Sequence, residues 1–157
     1  LVLINPFYSL SQLPPLLRRT YRRPHLSSYL VGKTPRWLFR FIVDMTSVAM
    51  GHSTGALHSL PERIRAQTAL DYTRTAPGVY GVINNEIDFN GHLHHISMPS
   101  LVVWGDRDQT LAPSSFDKLV NQLPRATGKS LRAGHVPHQS NAEEFNPLVL
   151  DFLSNLP

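Results

Sequence analysis

The sequence predicts an α/β fold in which a parallel sheet is flanked by helices. Two short, continuous apolar runs, at residues 1–4 and 101–104, are typical of strands buried on both faces, as in a parallel sheet. Helical patterns fill the long interval between these runs and follow the second one. We therefore expect about three parallel strands, near residues 1–4, 100–104 and 128–133, joined by the long crossovers that parallel strands require.

Composition places the chain among ordinary globular proteins. It has 157 residues, enough for one domain, of which 41% are apolar and 17% are charged. The absence of cysteine from the sequence excludes disulfides and thiolate metal sites. The longest apolar run, at residues 37–50, is shorter than a bilayer span and is interrupted by Arg40 and Asp44. We expect a soluble, cytoplasmic protein with no membrane span.

Positive charge is concentrated in the first part of the chain. Residues 1–60 carry seven Lys or Arg and one acid, whereas residues 61–157 carry eight Lys or Arg and ten acids. The basic excess centres on the arginines at positions 18, 19, 22 and 23. Such a cluster suits either a patch for nucleic acid or anionic membranes, or a solvated helix face. The helix face is favoured because no aromatic-interleaved nucleic-acid motif accompanies it, so we expect no nucleic-acid partner.

The first predicted strand stands at the very start of the chain. The run at residues 1–4 ends at Asn5 and Pro6, and neither Met nor a basic leader precedes it. A buried-strand pattern at the first residue predicts that sequence is missing upstream.

Residues 7–95 contain helical patterns and no convincing strand. Prolines at positions 14, 15, 24 and 35 divide the segment. Apolar residues at helical spacing predict helices at residues 13–21 and 35–50. A further helix is predicted at residues 61–72, with Pro61 in its first turn and Glu62 near the positive end of the helix dipole.

From residue 99 onwards, strands and helices alternate. After the strand at residues 101–104, a helix is predicted at residues 113–123 and a weaker strand at residues 128–133. Asn141 is predicted to cap a final amphipathic helix, and Glu144 stands three residues further on, close to a capping-box pattern.

Two loops that follow predicted strand ends carry the candidate chemistry. In open α/β sheets, ligands bind at the carboxyl ends of the strands. The first loop begins at Gly105 and holds Asp106 and Asp108, and the second holds His135 and His138. A carboxylate on one such loop can orient a His on the next, and that His can then take a proton from a nucleophile.

The two loops resemble those of the α/β-hydrolase superfamily. Residues 96–108 resemble its seventh strand and the Gly-x-x-Asp loop that supplies the acid of its catalytic triad. Residues 133–138, followed by residues 143–146, resemble its eighth-strand loop, which carries the triad His, and its closing helix. Together the two matches and the predicted closing helix cover just over a third of the chain.

The resemblance implies a role for two residues. Counted from Gly105, the position that matches the triad acid is Asp108, and the matching base is His135. The acid precedes the His in the chain, as it does in the family. Asp106 and His138 are then supporting residues rather than catalytic ones.

The same resemblance implies the domain organisation. Residues 1–6 match the sixth strand, and the helical segment 7–95 stands where these enzymes carry a cap. We expect a hydrolase core of residues 1–6 and 96–157, with residues 7–95 as a helical cap insert that excludes water and shapes the substrate pocket. Ordinary helix packing is favoured over a pocket-lining role for four large residues of this segment: Trp37, Phe39, Phe41 and Met45.

A Gly-x-Ser-x-Gly sequence at residues 51–55 offers Ser53 as a nucleophile. In a nucleophile elbow, a strand runs into a sharp turn and then a helix. Only five residues separate Gly55 from Pro61, too few for that helix. No buried strand is predicted between residues 65 and 99, and the candidate sixth strand precedes the motif instead of following it. We therefore expect Ser53 to be a decoy and the nucleophile to lie upstream of Leu1.

The resulting hypothesis is the C-terminal portion of a capped α/β-hydrolase, an enzyme that hydrolyses an ester or a related bond of a small-molecule substrate. It would need its missing N-terminal half, or a pairing chain, as a partner. The upstream nucleophile would be Ser in an esterase or a C–C hydrolase, and Asp in a dehalogenase. A non-catalytic binding domain or pseudoenzyme of the same fold is the alternative. We expect no cofactor and no metal, because no carboxylate or Cys stands at helical ligand spacing from three nearby histidines: His92, His94 and His95.

Overall fold

The computed structural model describes residues 1–15, 18–19, 33–49, 60–75 and 88–156. Three strands in these segments form one parallel sheet: β1 (Val2–Ile4), β2 (Ser100–Gly105) and β3 (Ala126–Leu131). Their order in the sheet is β1-β2-β3, so the middle strand is β2. The predicted α/β class and its parallel strands are confirmed.

The strand register fixes which chain segments meet at the edge of the sheet. Residues Val2 to Ile4 pair with Leu101 to Val103, and the second ladder runs from the Ser100–Ala126 pair to the Gly105–Leu131 pair. Every residue of β2 is buried, as expected of a central strand with helices on both faces. The carboxyl ends of the three strands therefore lie side by side.

The third strand begins and ends two residues earlier than the predicted 128–133. Its ladder with β2 already starts at Ala126. At the other end, the backbone N–H of Ala133 donates to the carbonyl oxygen of Leu131 at 2.8 Å, which turns the chain out of the ladder. Pairing with β2, which the local pattern does not contain, sets these limits.

The described helices are α1 (Arg36–Ala49), α2 (Glu62–Arg74), α3 (Ser115–Gln122), α4 (Pro137–Ser140) and α5 (Ala142–Ser154). Short 3-10 turns occur at Leu10–Gln12 and Leu93–His95. The predicted limits of α1, α2 and α3, and the predicted start of α5, agree with the structure to within two residues. The single turn of α4 was not predicted. Of the helix predicted at residues 13–21, positions 16, 17, 20 and 21 lie outside the described residues.

The prediction that α5 begins after Asn141 is confirmed, but the predicted side-chain cap is absent. Asn141 occupies the N-cap position, but its side chain makes no capping hydrogen bond. Its amide nitrogen donates to the carbonyl oxygen of Arg132 at 3.3 Å, and its amide oxygen accepts from the Ser140 hydroxyl at 2.9 Å. The side chain thus connects the end of β3 to the two final helices, a tertiary role that competes with capping.

Alternate side chains of β2 serve two separate cores, one on each face of the sheet. Val102 and Trp104 pack on the α3 side, where Leu119 belongs to the same cluster. Leu101 and Val103 pack on the α5 side, against Phe145 and its partly buried neighbours. This alternation follows from the two-residue period of a strand, and it produces a helix–sheet–helix sandwich.

The flanks of segment 7–95 pack in the same core as the sheet. Tyr8, Leu13 and Leu93 are buried in the same cluster as Val102 and Trp104. The N–H of Phe89 donates to the carbonyl oxygen of Tyr8 at 3.0 Å, which ties the two flanks to each other.

Helices α1 and α2 form a second unit with its own small core. Phe39, Val43 and Ala69 are buried between them, and the Phe39 ring stacks on Tyr72 with 5.4 Å between the ring centroids. On the solvent side of α1, by contrast, Trp37, Phe41 and Met45 are 70%, 57% and 51% exposed. Of the four residues expected to be packing core, Phe39 is therefore the one that is buried.

A network of charged side chains joins α1 to α2. Arg65 is buried and donates hydrogen bonds to Asp44 on α1 and, at 2.7 Å, to Glu62 on α2. Arg40 donates to the same two carboxylates, at 2.8 Å to Asp44 and 2.6 Å to Glu62. A further bond of 3.1 Å joins Arg65 to the carbonyl oxygen of Leu60, so the network connects the middle of α1 to the beginning of α2. Among the described helices, none is long and apolar enough to cross a membrane.

We predict that Arg65→Met lowers the free energy of unfolding by about 2 kcal/mol, because it removes the buried one of the two cations that Asp44 and Glu62 share and leaves Arg40 alone between them. Arg63→Met is the matched control, since Arg63 is exposed on the same helix and should change stability by less than about 0.5 kcal/mol. Urea unfolding of both variants measures the difference. Equal stability of the two variants would contradict the role of Arg65 in joining α1 to α2.

Candidate active site

The candidate site lies where the loops after β2 and β3 run side by side. The acid loop, residues 105–111, and the histidine loop, residues 133–136, continue the strand pairing through two backbone hydrogen bonds. The N–H of Asp106 donates to Leu131 at 2.9 Å, and the N–H of Arg107 donates to Ala133 at 2.9 Å. The two loops are thereby held at a fixed separation.

Gly105 allows this close approach. A Cβ atom at this position would lie 2.0 Å from the carbonyl oxygen of Gly134 and 2.5 Å from that of Ala133. Both contacts are with backbone, which cannot move aside as a side chain can. The glycine that begins the Gly-x-x-Asp motif is therefore required by packing between the two loops.

The Asp108 carboxylate is buried, and four groups contact its two oxygens. Oδ1 accepts hydrogen bonds from the backbone N–H groups of Thr110 at 2.7 Å and Leu111 at 3.0 Å. Oδ2 accepts from the side-chain amide of Asn5 and lies 2.9 Å from Nδ1 of His135. A carboxylate offers about four acceptor positions, so its hydrogen-bonding capacity is filled.

These contacts keep Asp108 ionised. Burial acts to raise the pKa of Asp108, but the hydrogen bond and charge of His135, the Leu111 N–H and the Asn5 amide together outweigh it. The pKa of Asp108 is therefore lower than its ordinary value. A charged, immobile carboxylate can orient an imidazole and stabilise its protonated form.

His135 connects the buried acid to solvent. Its side chain is 34% exposed, whereas that of Asp108 is 0% exposed. Because an ionised carboxylate only accepts hydrogen bonds, the Nδ1–H of the imidazole is the donor in this contact. Nε2 is then the ring nitrogen available to exchange a proton with another molecule.

A cavity of about 350 Å³ opens beside His135, between the histidine loop and the pair of helices α1 and α2. Its described lining is apolar at the helices and carries several hydroxyl groups, and it contains no Lys, Arg, Asp or Glu. The lining residues are Phe39, Ile42, Val43, Thr46, Ser47, Leu60, Thr68, Tyr72, Thr110, His135 and Val136. A second cavity, of about 320 Å³, lies at the start of the strands, near Pro99 and Arg125, away from both loops.

The structure distinguishes the paired residues from their neighbours. Asp106 is exposed, and the His138 ring packs against Phe145 with 6.1 Å between the ring centroids. Ser53 and its Gly-x-Ser-x-Gly sequence lie outside the described residues. Across the described segments, including the loop with His92, His94 and His95, no group of three or more potential ligands is placed to hold a metal ion.

Sequence reasoning missed Asn5 and Thr110. The backbone of Thr110 binds Asp108, and its side chain helps to line the cavity. Asn5 binds Asp108 directly, although 103 positions separate the two in the chain. One signal for Asn5 was present: it directly follows the first strand, and the carboxyl ends of parallel strands meet at one edge of the sheet.

Comparisons with known proteins relate part of the chain to hydrolases. No family model matches the chain. A 2-hydroxy-6-oxononadienedioate/2-hydroxy-6-oxononatrienedioate hydrolase from Paraburkholderia phymatum is 40% identical over 68 residues, which make up 42% of this chain and 23% of the relative. A similarly named hydrolase from Pseudomonas putida is 35% identical over 69 residues, or 43% of this chain and 24% of the relative.

Solved structures show the fold over nearly the whole chain. A thermophilic esterase from Thermogutta terrifontis superposes with a TM-score of 0.71 over 98% of this chain and 54% of its own, at 18% identity. A hydrolase from Oleispira antarctica gives a TM-score of 0.70 over 98% of this chain and 55% of its own, at 19% identity. The chain has the α/β-hydrolase fold. This α/β-hydrolase chain matches about a quarter of the length of these curated relatives and just over half that of these solved structures.

We predict that Gly105→Ala lowers the free energy of unfolding of this α/β-hydrolase chain by at least about 3 kcal/mol, because the new methyl group meets two carbonyl oxygens. Gly91→Ala is the control. Gly91 has a φ of 80° but nothing within 4 Å of the added atom, so it should lose only about 1–2 kcal/mol of backbone strain energy. Urea unfolding compares the two variants, and a smaller loss at Gly105 than at Gly91 would contradict the close-approach argument.

We also predict a pH-dependent stability difference between the wild type and Asp108→Asn. Because the folded-state pKa of Asp108 lies below its unfolded value, the carboxylate contributes its full stability above about pH 4 and loses it as the pH falls through the folded pKa. The difference in unfolding free energy should be about 2 kcal/mol near neutral pH and should narrow in acid. Asp106→Asn, an exposed control, should show a small and constant difference. A constant difference for Asp108→Asn would refute the assigned shift.

Proposed function

We propose that this chain supplies the acid and the base of a catalytic triad that hydrolyses an ester or a related bond in a small molecule. The supporting observation is the contact between Asp108 and His135. A buried, fully hydrogen-bonded carboxylate holds one imidazole nitrogen, and the ring borders a cavity large enough for a small organic substrate. The names of the relatives that match by sequence, all hydrolases, support the same reaction class.

In this proposal His135 is the general base. Its Nε2 removes the proton from the nucleophile as the nucleophile attacks the substrate carbonyl carbon, and the ring becomes positively charged. Asp108 stabilises that charge and keeps the Nδ1–H in place, so Nε2 is the nitrogen that reacts. The imidazolium then returns the proton to the leaving group, and water repeats the cycle to release the enzyme.

We propose that the nucleophile lies upstream of Leu1. Two observations support this placement. The chain corresponds to just over half of the solved structures that it resembles, and β1 has a strand neighbour on one side only among the described residues. Preceding strands would pair with the free side of β1 and bring the nucleophile to the same sheet edge as His135.

We propose that the pair α1–α2 forms the cap over this site. The predicted cap comprised residues 7–95, but its flanks pack in the core of the sheet, so we limit the proposed cap to these two helices. Because the described cavity lining is uncharged, the part of the substrate that enters it should be neutral and largely apolar. The names of the relatives specify dicarboxylate substrates. To bind such a substrate, this protein would need cationic groups outside the described cavity lining.

The test uses the full-length gene product and a series of p-nitrophenyl esters with acyl chains of different length and charge. We expect His135→Ala and Asp108→Asn each to lower kcat by at least about 10³-fold, since each breaks the proton relay. Asp106→Asn on the acid loop and His138→Ala on α4, just beyond the histidine loop, are matched controls and should retain activity. Neutral acyl chains should react faster than chains that end in a carboxylate.

Labelling with an alkyl fluorophosphonate and peptide mass spectrometry locates a serine nucleophile. We expect the label upstream of Leu1 and expect Ser53→Ala to remain active. A label on Ser53 would overturn the upstream placement. Absence of hydrolysis of any ester would instead favour a non-catalytic binding domain of the same fold, whereas full activity in His135→Ala would refute His135 as the general base.

A further inference from the structure

Asn5 has an unusual position at the end of β1. It is buried, at 5% exposure, and its φ of 40° is the one positive value among the described residues other than glycine. Asn is among the few residues that adopt this left-handed conformation at modest cost. Its backbone N–H donates to the carbonyl oxygen of Val103 at 3.0 Å, so the residue still belongs to the ladder while its backbone turns.

Both ends of the Asn5 side chain are engaged. The amide oxygen accepts the backbone N–H of Gly105 at 3.0 Å, and the amide nitrogen donates to Oδ2 of Asp108. This orientation follows from the chemistry of the partners, because a backbone N–H can only donate and an ionised carboxylate can only accept. The side chain therefore connects the first and the last residue of the Gly-x-x-Asp motif.

We propose that Asn5 is a positioning residue for the triad acid, an inference that rests on the proposed function. The oxygen that Asn5 contacts is the same Oδ2 that faces His135. With Oδ1 held by two backbone N–H groups, the Asn5 amide fixes the remaining freedom of the carboxylate. One acceptor position on Oδ2 then points at Nδ1 of His135 before substrate arrives.

Hydrogen bonds within the segment that follows Asn5 restrict the movement of Asn5. Gln12 is fully buried, and its side-chain oxygen accepts the N–H groups of Tyr8 and Ser9 while its amide nitrogen donates to the carbonyl oxygen of Pro6. The N–H of Ala112, just beyond the acid loop, donates to the carbonyl oxygen of Gln12 at 2.8 Å. Both sides of the contact between Asn5 and Asp108 are therefore anchored.

Few ionisable groups bear on this contact. Among the described residues, the ionisable groups joined by hydrogen bonds at this contact are Asp108 and His135. Their chain neighbours are Asp106 and Arg107 on the acid loop and His138 on α4. A carboxyl group introduced at position 5 would thus respond mainly to Asp108.

Asn5→Asp gives the sharpest test, because Asp has the shape of Asn and also tolerates the left-handed backbone. While the new carboxyl holds a proton, it can donate to Asp108 as the amide does. Once it loses that proton, two carboxylates face each other, and such a pair has one strongly raised pKa. Relative to the wild type, kcat should be close to normal at about pH 5 and should fall by at least about tenfold towards about pH 9, with little change in KM.

Two further variants complete the design. Asn5→Gly preserves the left-handed turn but removes both side-chain bonds, and it should lower kcat by about 10- to 100-fold with no new pH dependence. Asn121→Asp adds the same charge at an exposed position of α3 and should match the wild type at every pH. A flat pH ratio for Asn5→Asp, or normal kcat in Asn5→Gly, would overturn the proposal.

Unfolding experiments separate this inference from the proposed function. A carboxyl group whose folded pKa is raised contributes stability at low pH and loses it as the pH rises. Asn5→Asp should therefore lose stability against the wild type between about pH 5 and about pH 9, whether or not the protein hydrolyses esters. An inactive wild type with this stability profile would contradict the proposed function but not the contact between Asn5 and Asp108. A stability difference independent of pH would contradict the proposed role of Asn5.

Discussion

The buried carboxylate of Asp108 is the constraint on which the rest of the site depends. A negative charge removed from water is tolerated only when its oxygens are fully hydrogen-bonded. Here the donors come from three places: the acid loop itself, the end of β1 and the histidine loop. Satisfying one charge therefore fixes three chain segments relative to one another, and the close approach at Gly105 sets the distance between two of them.

Much of the fold could be predicted from local pattern, because its strands are apolar runs and its helices are amphipathic. Asp108 and His135 were identified from spacing and resemblance, and the structure brings them into contact. What the sequence could not supply were features decided by partners distant in the chain. The limits of β3 depend on its ladder with β2. The Asn141 side chain makes a tertiary hydrogen bond instead of capping α5, and the Asn5 side chain binds a residue 103 positions away. Local periodicity contains none of these pairings.

The helices over the site combine two kinds of contact that are separated in space. Facing the cavity, Phe39 and Val43 give an uncharged surface, whereas the charges of Arg40 and Arg65 are paired with carboxylates in a network between the helices. Paired ions hold the two helices together without placing a charge beside His135. The pair α1–α2 can thus be firmly joined and still offer an apolar wall, and such a wall strengthens electrostatic interactions at a site by excluding water.

The contact between Asn5 and Asp108 also orders the folding of the chain. It closes a loop of about 100 residues, which costs on the order of 4 kcal/mol in chain entropy before any contact repays it. Strand β1 is only three residues long, so it cannot hold that loop closed until β2 and its helices are in place. Docking of Asn5 on Asp108 is therefore expected late in folding, and a partly folded chain with β1 undocked would leave Asp108 hydrated. In the proposed hydrolase, activity would report completed folding.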